Sequence, residues 1–137
     1  MVAYTGSTFA KAVQAIKPGT YTSTQTSAAI DTGGGWGTLI INVNAGTFTG
    51  DGAMTVKVQA ATTSGGSYSD ITGAAFTQIT TSNDEACYLG SIKLDGTHAQ
   101  FFKVVCTYAG TGNALLAVDA IFLLPEDSAL ASTSFTV

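Results

Sequence analysis

The chain has 137 residues, of which 45% are hydrophobic and only 10% are charged, and its formal net charge is −4. It contains no arginine, and its five lysines are scattered along the sequence. Binding to nucleic acid or to an anionic membrane requires clustered basic side chains, so the composition argues against both. The length suits one domain, and sixteen glycines against two prolines predict many short turns.

The N-terminal stretch is predicted to be an arm, residues 1–19, that precedes the main domain. Its first residues lack the basic start and apolar centre of a signal peptide, which predicts synthesis in a cytoplasm. Two interpretations of residues 7–19 stay open. Phe9, Val13 and Ile16 would share one face of a helix that ends near Pro18. Alternatively, the apolar residues alternate with polar ones as in a strand.

The main domain is predicted to span residues 20–127, followed by a tail of residues 128–137. Apolar and polar residues alternate in residues 38–44 and again in residues 54–60. Further strand candidates lie at residues 68–71, 76–80 and 87–94. About eight short strands with turn residues between them predict an all-β fold, an antiparallel β-sandwich of jelly-roll type.

The most apolar part of the chain is formed by residues 100–108 and 114–124. The Gly-rich residues 109–113 between them are typical of a turn, which predicts a hairpin. The second run is apolar on both faces except at Asp119, as expected of a strand in the middle of a sheet. Asp119 is predicted to face an edge, a hydrogen-bonding partner or a subunit contact.

The two cysteines, Cys87 and Cys106, allow two interpretations. If residues 95–98 form a tight turn, opposite residues of the flanking strands sum to 193, and the two cysteines would face each other as a thiol pair. The alternative is two buried, reduced cysteines that behave as small hydrophobic side chains.

No catalytic or metal-binding constellation emerges from the sequence. The single histidine, His98, lies in a predicted turn, and the carboxylates are spread over separate turns. One histidine and two distant cysteines do not fit the ligand spacing of a zinc site. The Gly-rich residues 31–37 lack the basic residue and the following helix of a phosphate-binding loop. We therefore expect no enzymatic activity, no cofactor and no metal.

Two aromatic residues could contact a ligand. Trp36 lies among glycines, where it would serve either as a platform for a sugar ring or as a plug at one end of the sandwich. Tyr68 follows the Ser/Gly turn at residues 64–67 and is the second candidate stacking surface.

Three segments resemble a recurring β-sandwich of tailed-bacteriophage virions: residues 56–73, 76–79 and 101–108. In that family a strand leads into a Ser/Gly turn and an aromatic-x-Asp step, and a late strand carries aromatic-x-basic-hydrophobic residues. The family commonly has arginine where Lys103 stands. The resemblance implies a head decoration (cement) protein, which sits on the outside of the capsid lattice, often as a trimer, and strengthens it.

The leading hypothesis is therefore a structural virion protein that is synthesised in the host cytoplasm and binds the major capsid protein. The candidate partner-binding residues are Tyr4, Phe9, Val13 and Ile16 in the arm and Phe135 in the tail. The alternative is a carbohydrate-binding module of a tail fibre or adhesin, with Trp36 and Tyr68 as stacking surfaces.

Overall fold

The computed structural model describes residues 10–33, 37–94 and 99–123, and every regular element within these ranges is a β-strand. The strands are β1 (Ala10–Tyr21), β2 (Gln25–Thr26), β3 (Ile30–Asp31), β4 (Gly37–Phe48), β5 (Ala53–Ala61), β6 (Ser69–Ala75), β7 (Cys87–Leu94), β8 (Phe101–Ala109) and β9 (Ala114–Leu123).

The strands form two antiparallel sheets that pack face to face. The four-stranded sheet has the order β1-β9-β4-β7. The five-stranded sheet has the order β2-β8-β5-β6, with β3 also paired to β8. The predicted all-β antiparallel sandwich is confirmed.

The core lies between the sheets and follows the alternation of the sequence. Its largest fully buried side chains come from the inward faces of the central strands, with Leu39, Ile41 and Val43 in β4, Met54, Val56 and Val58 in β5, and Phe102, Val104 and Cys106 in β8. Each large apolar side chain buried in this way contributes about 1.5–3 kcal/mol to folding. The period of two predicted for these strands is confirmed.

Strands β8 and β9 do not form the predicted hairpin. β8 pairs with β5 in the five-stranded sheet, whereas β9 lies between β1 and β4 in the four-stranded sheet. The turn residues therefore cross from one sheet to the other. Both strands carry a strongly apolar inward face, and they bury these faces against the opposite sheet across the core. The prediction that β9 is a central strand is confirmed.

Residues 10–21 form an edge strand, so the helical interpretation of this segment is wrong. β1 pairs with β9 from Ala10, opposite Leu123, to Tyr21, opposite Ala114, with irregularities on either side of Ile16. Proline donates no hydrogen bond and is tolerated at edge strands and bulges, which is how Pro18 fits here. The predicted boundary at residue 19 falls inside this strand.

The strand candidate at residues 76–80 is reduced to a single bridge. The N–H of Ile79 donates to the carbonyl of Met54 at 2.8 Å, and Met54 returns a bond at 2.9 Å. β6 spans Ser69–Ala75 and therefore ends just before the predicted strand at residues 76–80.

Candidate functional site

A cluster of interacting polar side chains lies on the outer face of the five-stranded sheet. We call Lys57, Gln59, Tyr68, Asp70 and Lys103 the outer polar cluster. Lys57 and Gln59 point outward from β5, and Lys103 points outward from the adjacent β8, where it is the partner of Gln59 in the register. The alternation of the sequence, with buried residues at even positions of both strands, places these side chains on one face.

Asp70 joins the strands of this cluster. The amide of Gln59 donates to its Oδ1 at 2.8 Å, and Lys57 Nζ lies 3.0 Å from the same oxygen. The hydrogen bond from Gln59 and then that from Lys57 lower the pKa of Asp70 below its ordinary value. Two lysines and one aspartate give the cluster a charge of +1, in a protein whose net charge is −4.

Tyr68, a predicted stacking residue, has one face of its ring occupied. Lys103 Nζ lies 4.4 Å from the ring centroid, which is a cation–π distance. The Tyr68 hydroxyl donates to the carbonyl of Ser64 at 2.9 Å and so fixes the ring to the preceding turn. A sugar ring could stack only on the opposite face.

An open depression of about 500 Å³ lies beside this cluster. Its polar lining comes from Thr62, Ser67, Ser69, Asp70 and Thr72. A second open depression, of about 380 Å³, is lined in part by Asp51, Gln78 and Thr80. An apolar cavity of about 20 Å³ lies between the sheets and is lined in part by Ile41, Val58 and Phe76. That volume holds about one water molecule, so it is not a substrate site.

Cys87 and Cys106 do not form the predicted thiol pair. Both thiols are free, with Cys87 exposed and Cys106 buried. β7 pairs with β4, and β8 belongs to the other sheet, so the register that summed to 193 does not exist. The alternative of two buried cysteines that behave as small hydrophobic side chains fits Cys106 and is wrong for Cys87, which is exposed. Burial raises the pKa of the Cys106 thiol to about 12.

Asp119 lies on the outer face of the four-stranded sheet, in a central strand and not at an edge. Its partners in the register are Gln14 on β1 and Asn42 on β4. Asp119 is half-buried. It lies in a polar row that crosses β1, β9 and β4, between Gln14 and Asn42.

Several other carboxylates act as hydrogen-bond acceptors for the chain itself. Asp31 accepts from Gln100 Nε2 and from the N–H of Gly33, both at 2.8 Å. The bond from Gln100, followed by that from Gly33, lowers the pKa of Asp31.

Within the described ranges, no group of three or more His, Cys, Asp or Glu residues could hold a metal ion.

The predicted partner-binding residues fall into two groups. Tyr4, Phe9 and Phe135 lie outside the described residues, as do Trp36 and His98. Ile16 is only 5% exposed and belongs to the core, and Val13 is half-buried beside it on β1. Ile16 therefore has no free surface for a partner, because its strand is part of the sheet.

Comparisons with protein-family models, with curated proteins and with solved structures find no match to this chain.

The part of the chain that the structure describes contains no helix that is long and apolar enough to span a membrane.

Proposed function

We propose that this chain is a capsid decoration protein, a structural virion protein that binds the outer capsid lattice as a homo-oligomer, with a trimer favoured, and stabilises it. The main support is where the virion-like segments lie. Residues 56–61, 69–73 and 101–108 belong to β5, β6 and β8, which are neighbours in one sheet. Segments far apart in the sequence thus form one continuous surface.

The side chains of those segments also contact one another. Tyr68 opens the aromatic-x-Asp step, and Lys103 is the basic residue of the late strand whose ammonium lies over the Tyr68 ring. The resemblance thus rests on residues that interact in space. Lysine in place of the family's arginine keeps the cation–π contact and lacks the planar fork for a bidentate ion pair.

The surface chemistry suits attachment to a repeating lattice. Only 10% of residues are charged, so little electrostatic repulsion opposes the close approach of neighbouring copies. Binding to the assembled shell and not to its separate subunits would stabilise the shell by mass action.

The arm supplies a means of contact with the major capsid protein. β1 is an edge strand, so its first residue, Ala10, lies at the rim of the four-stranded sheet, and residues 1–9 precede it in the sequence. Nine extended residues span up to about 30 Å, enough to reach a neighbouring subunit. Tyr4, Phe9 and Val13 in the arm and Phe135 in the tail are the proposed contacts, whereas Ile16 is buried in the core.

The test compares the full chain with a variant that lacks residues 1–9, by co-sedimentation with shells of the major capsid protein from the same genome. The deletion stops before Ala10, because removing residues 10–16 would also remove sheet pairing. We expect saturable binding of the full chain and weak or no binding of the variant. Circular dichroism of the variant shows whether the sandwich is intact.

A carbohydrate-binding module is the second candidate, and the hydroxyl-lined depression next to Tyr68 favours it. A glycan that binds there would stack on the face of the Tyr68 ring opposite Lys103. A glycan screen read by tryptophan fluorescence separates the two functions. Saturable quenching that is lost in Tyr68→Ala would support the module. Because Trp36 is the only tryptophan of the chain, binding by Trp36→Ala is followed by calorimetry, and loss of binding there would support the module as well.

A further inference from the structure

The two outer faces of the sandwich differ in whether their polar side chains have partners. On the five-stranded sheet, Asp70 of the outer polar cluster is held by Lys57 and Gln59. Lys103 of the same cluster lies over the ring of Tyr68. The charged groups of that cluster therefore already have partners within the chain.

The polar row on the outer face of the four-stranded sheet has no such contacts. Gln14, Asp119 and Asn42 lie side by side on β1, β9 and β4. Within residues 10–33, 37–94 and 99–123, their side chains form no hydrogen bond or ion pair. A half-buried carboxylate without a partner favours a positively charged group from another molecule, because the surface around it partly shields the pair from water.

Both large apolar side chains that are exposed in the described part of the chain lie on this same face. Leu89 on β7 is 45% exposed, and Leu115 on β9 is 39% exposed. Leu89 is the partner of Asn42 in the register, so it lies two strands, or about 10 Å, from Asp119. Leu115 precedes Asp119 by four residues on β9, about 13 Å along the strand. The carboxylate thus lies between two exposed leucines.

Half-buried side chains join these leucines into one patch. Ile40 on β4 and Ile121 on β9 are partners in the register and lie one row from Asp119 on the same face. Ala117 lies between Asp119 and Leu115 on β9. A connected apolar patch on a sheet face marks a surface for association with another protein, whereas single exposed leucines would not.

We propose that the outer face of the four-stranded sheet meets the capsid shell, and that the major capsid protein presents a lysine or arginine side chain there to Asp119, with apolar groups around it. This inference rests on the function proposed above and names its contact surface. β1, which the arm precedes in the sequence, belongs to the same sheet, so the arm and this face engage the same partner. The outer polar cluster then faces away from the shell.

A second copy of the chain fits this face less well. A two-fold contact centred on the polar row would bring two Asp119 carboxylates together, and their repulsion would oppose binding. The lysines of the outer polar cluster are engaged within it, so a head-to-tail contact would disturb those pairs. A shifted contact, in which the exposed Lys93 of one copy reaches Asp119 of the other, is distinguished by the experiment below.

Charge reversal at Asp119 tests the proposal. Asp119→Lys and Asp51→Lys change the net charge equally, but Asp51 lies in the exposed turn between β4 and β5 and not on this face. Both variants and the parent protein are titrated into assembled shells of the major capsid protein from the same genome and followed by co-sedimentation. We expect Asp119→Lys to raise the Kd for shells about tenfold or more, and Asp51→Lys to stay within about twofold of the parent. Circular dichroism shows whether both variants are folded.

Two milder variants keep the test decisive if Asp119→Lys does not fold. Asp119→Asn keeps the shape of the side chain and removes its charge, so it should bind more weakly than the parent and lose less affinity as salt is raised. Leu89→Asn should also weaken binding, because an apolar contact is replaced by an amide that must be desolvated.

The outcomes separate this inference from the function on which it rests. If the parent binds shells and the substitutions at Asp119 and Leu89 leave the Kd unchanged, the contact surface is wrong and the decoration function stands. Loss of binding in Lys103→Gln instead would assign the shell to the opposite face and overturn the proposal. Self-association of the parent without shells that is lost in Asp119→Asn would assign the face to a second copy and overturn it as well. A parent protein that binds no shells would overturn both the surface and the function.

Discussion

The carboxylate of Asp84 accepts a hydrogen bond from the backbone N–H of Phe48 at 2.7 Å. This bond joins the turn before β7 to the end of β4, where the pairing with β9 shifts register between Ala45 and Phe48. The Phe48 side chain is 3% exposed, so the site is largely shielded from water. The carboxylate satisfies an N–H that the irregular ladder leaves available.

Asp84→Ala should lower the free energy of unfolding by about 1.5–3 kcal/mol, because a charge-assisted bond is lost and a shielded N–H is left unpaired. Urea unfolding followed by circular dichroism measures the change. Glu85→Ala is the matched control: its carboxylate accepts an exposed bond from Thr47, and its removal should cost less than about 1 kcal/mol. Equal effects of the two substitutions would contradict this role of Asp84.

Gly112 lies where the chain crosses between the sheets, and a larger residue does not fit there. A Cβ atom at this position would lie 1.6 Å from the carbonyl oxygen of Thr49. Gly112→Ala should therefore destabilise the protein by about 3 kcal/mol or more, or prevent folding. Gly65→Ala is the control, because a Cβ there meets nothing within 4 Å, and it should stay within about 0.5 kcal/mol of the parent protein. Thermal unfolding of both variants provides the comparison.

The two thiols should differ in accessibility. Cys87 is exposed, with its Sγ 3.7 Å from Asn44 Oδ1, whereas Cys106 is fully buried in the core. Titration of the native protein with an aromatic disulfide reagent should modify one thiol, and titration in denaturant without reductant should modify two. No reactive thiol in the native Cys87→Ser variant would assign the fast reaction to Cys87. A count of zero in the unfolded parent protein would mean that the cysteines are bonded.

Cys106 should weaken the protein at alkaline pH. Its pKa is about 12 in the folded state against an ordinary value of 9.0, because burial opposes the thiolate. The unfolded thiol thus loses its proton at lower pH than the folded one, so this contribution to stability is complete below pH 9 and falls between pH 9 and about 12. The slope reaches at most about 1.4 kcal/mol per pH unit.

Alkaline pH also acts on the rest of the protein, so the measurement is a difference between two proteins that share everything except Cys106. Urea unfolding of the parent protein and of Cys106→Ala should be compared at increasing pH above 9. The parent protein should lose stability faster than the variant. Parallel curves would show that Cys106 stays neutral in both states or is solvated in the folded one.

Alternation in the sequence was enough to predict the inward faces of β4, β5 and β8 and the central place of β9, because a period of two directly reports which side chains share a face. It could not predict which strand pairs with which. The turn at residues 109–113 has the same composition whether it closes a hairpin or crosses to the other sheet. The register proposed for Cys87 and Cys106 failed for that reason.

The outer polar cluster shows the same limit for the candidate site. The sequence indicates that Lys57, Gln59 and Lys103 face outward, but the contacts of Asp70 with Lys57 and Gln59 depend on the pairing of β5 with β6. The helical interpretation of residues 7–19 took Pro18 as the signal that ends a helix. In the structure Pro18 lies in an irregular edge strand, which accommodates it. Local signals could not reveal that this segment would be held by β9.

The central claim is attachment to an assembled capsid lattice, and the stoichiometry of binding tests it most directly. Purified protein is titrated into assembled shells and, separately, into unassembled major capsid protein from the same genome. We predict saturable binding to the shells at a fixed ratio of copies per capsid subunit, with little binding to the unassembled protein. No binding to shells, or equal binding to unassembled subunits, would contradict a role in capsid decoration.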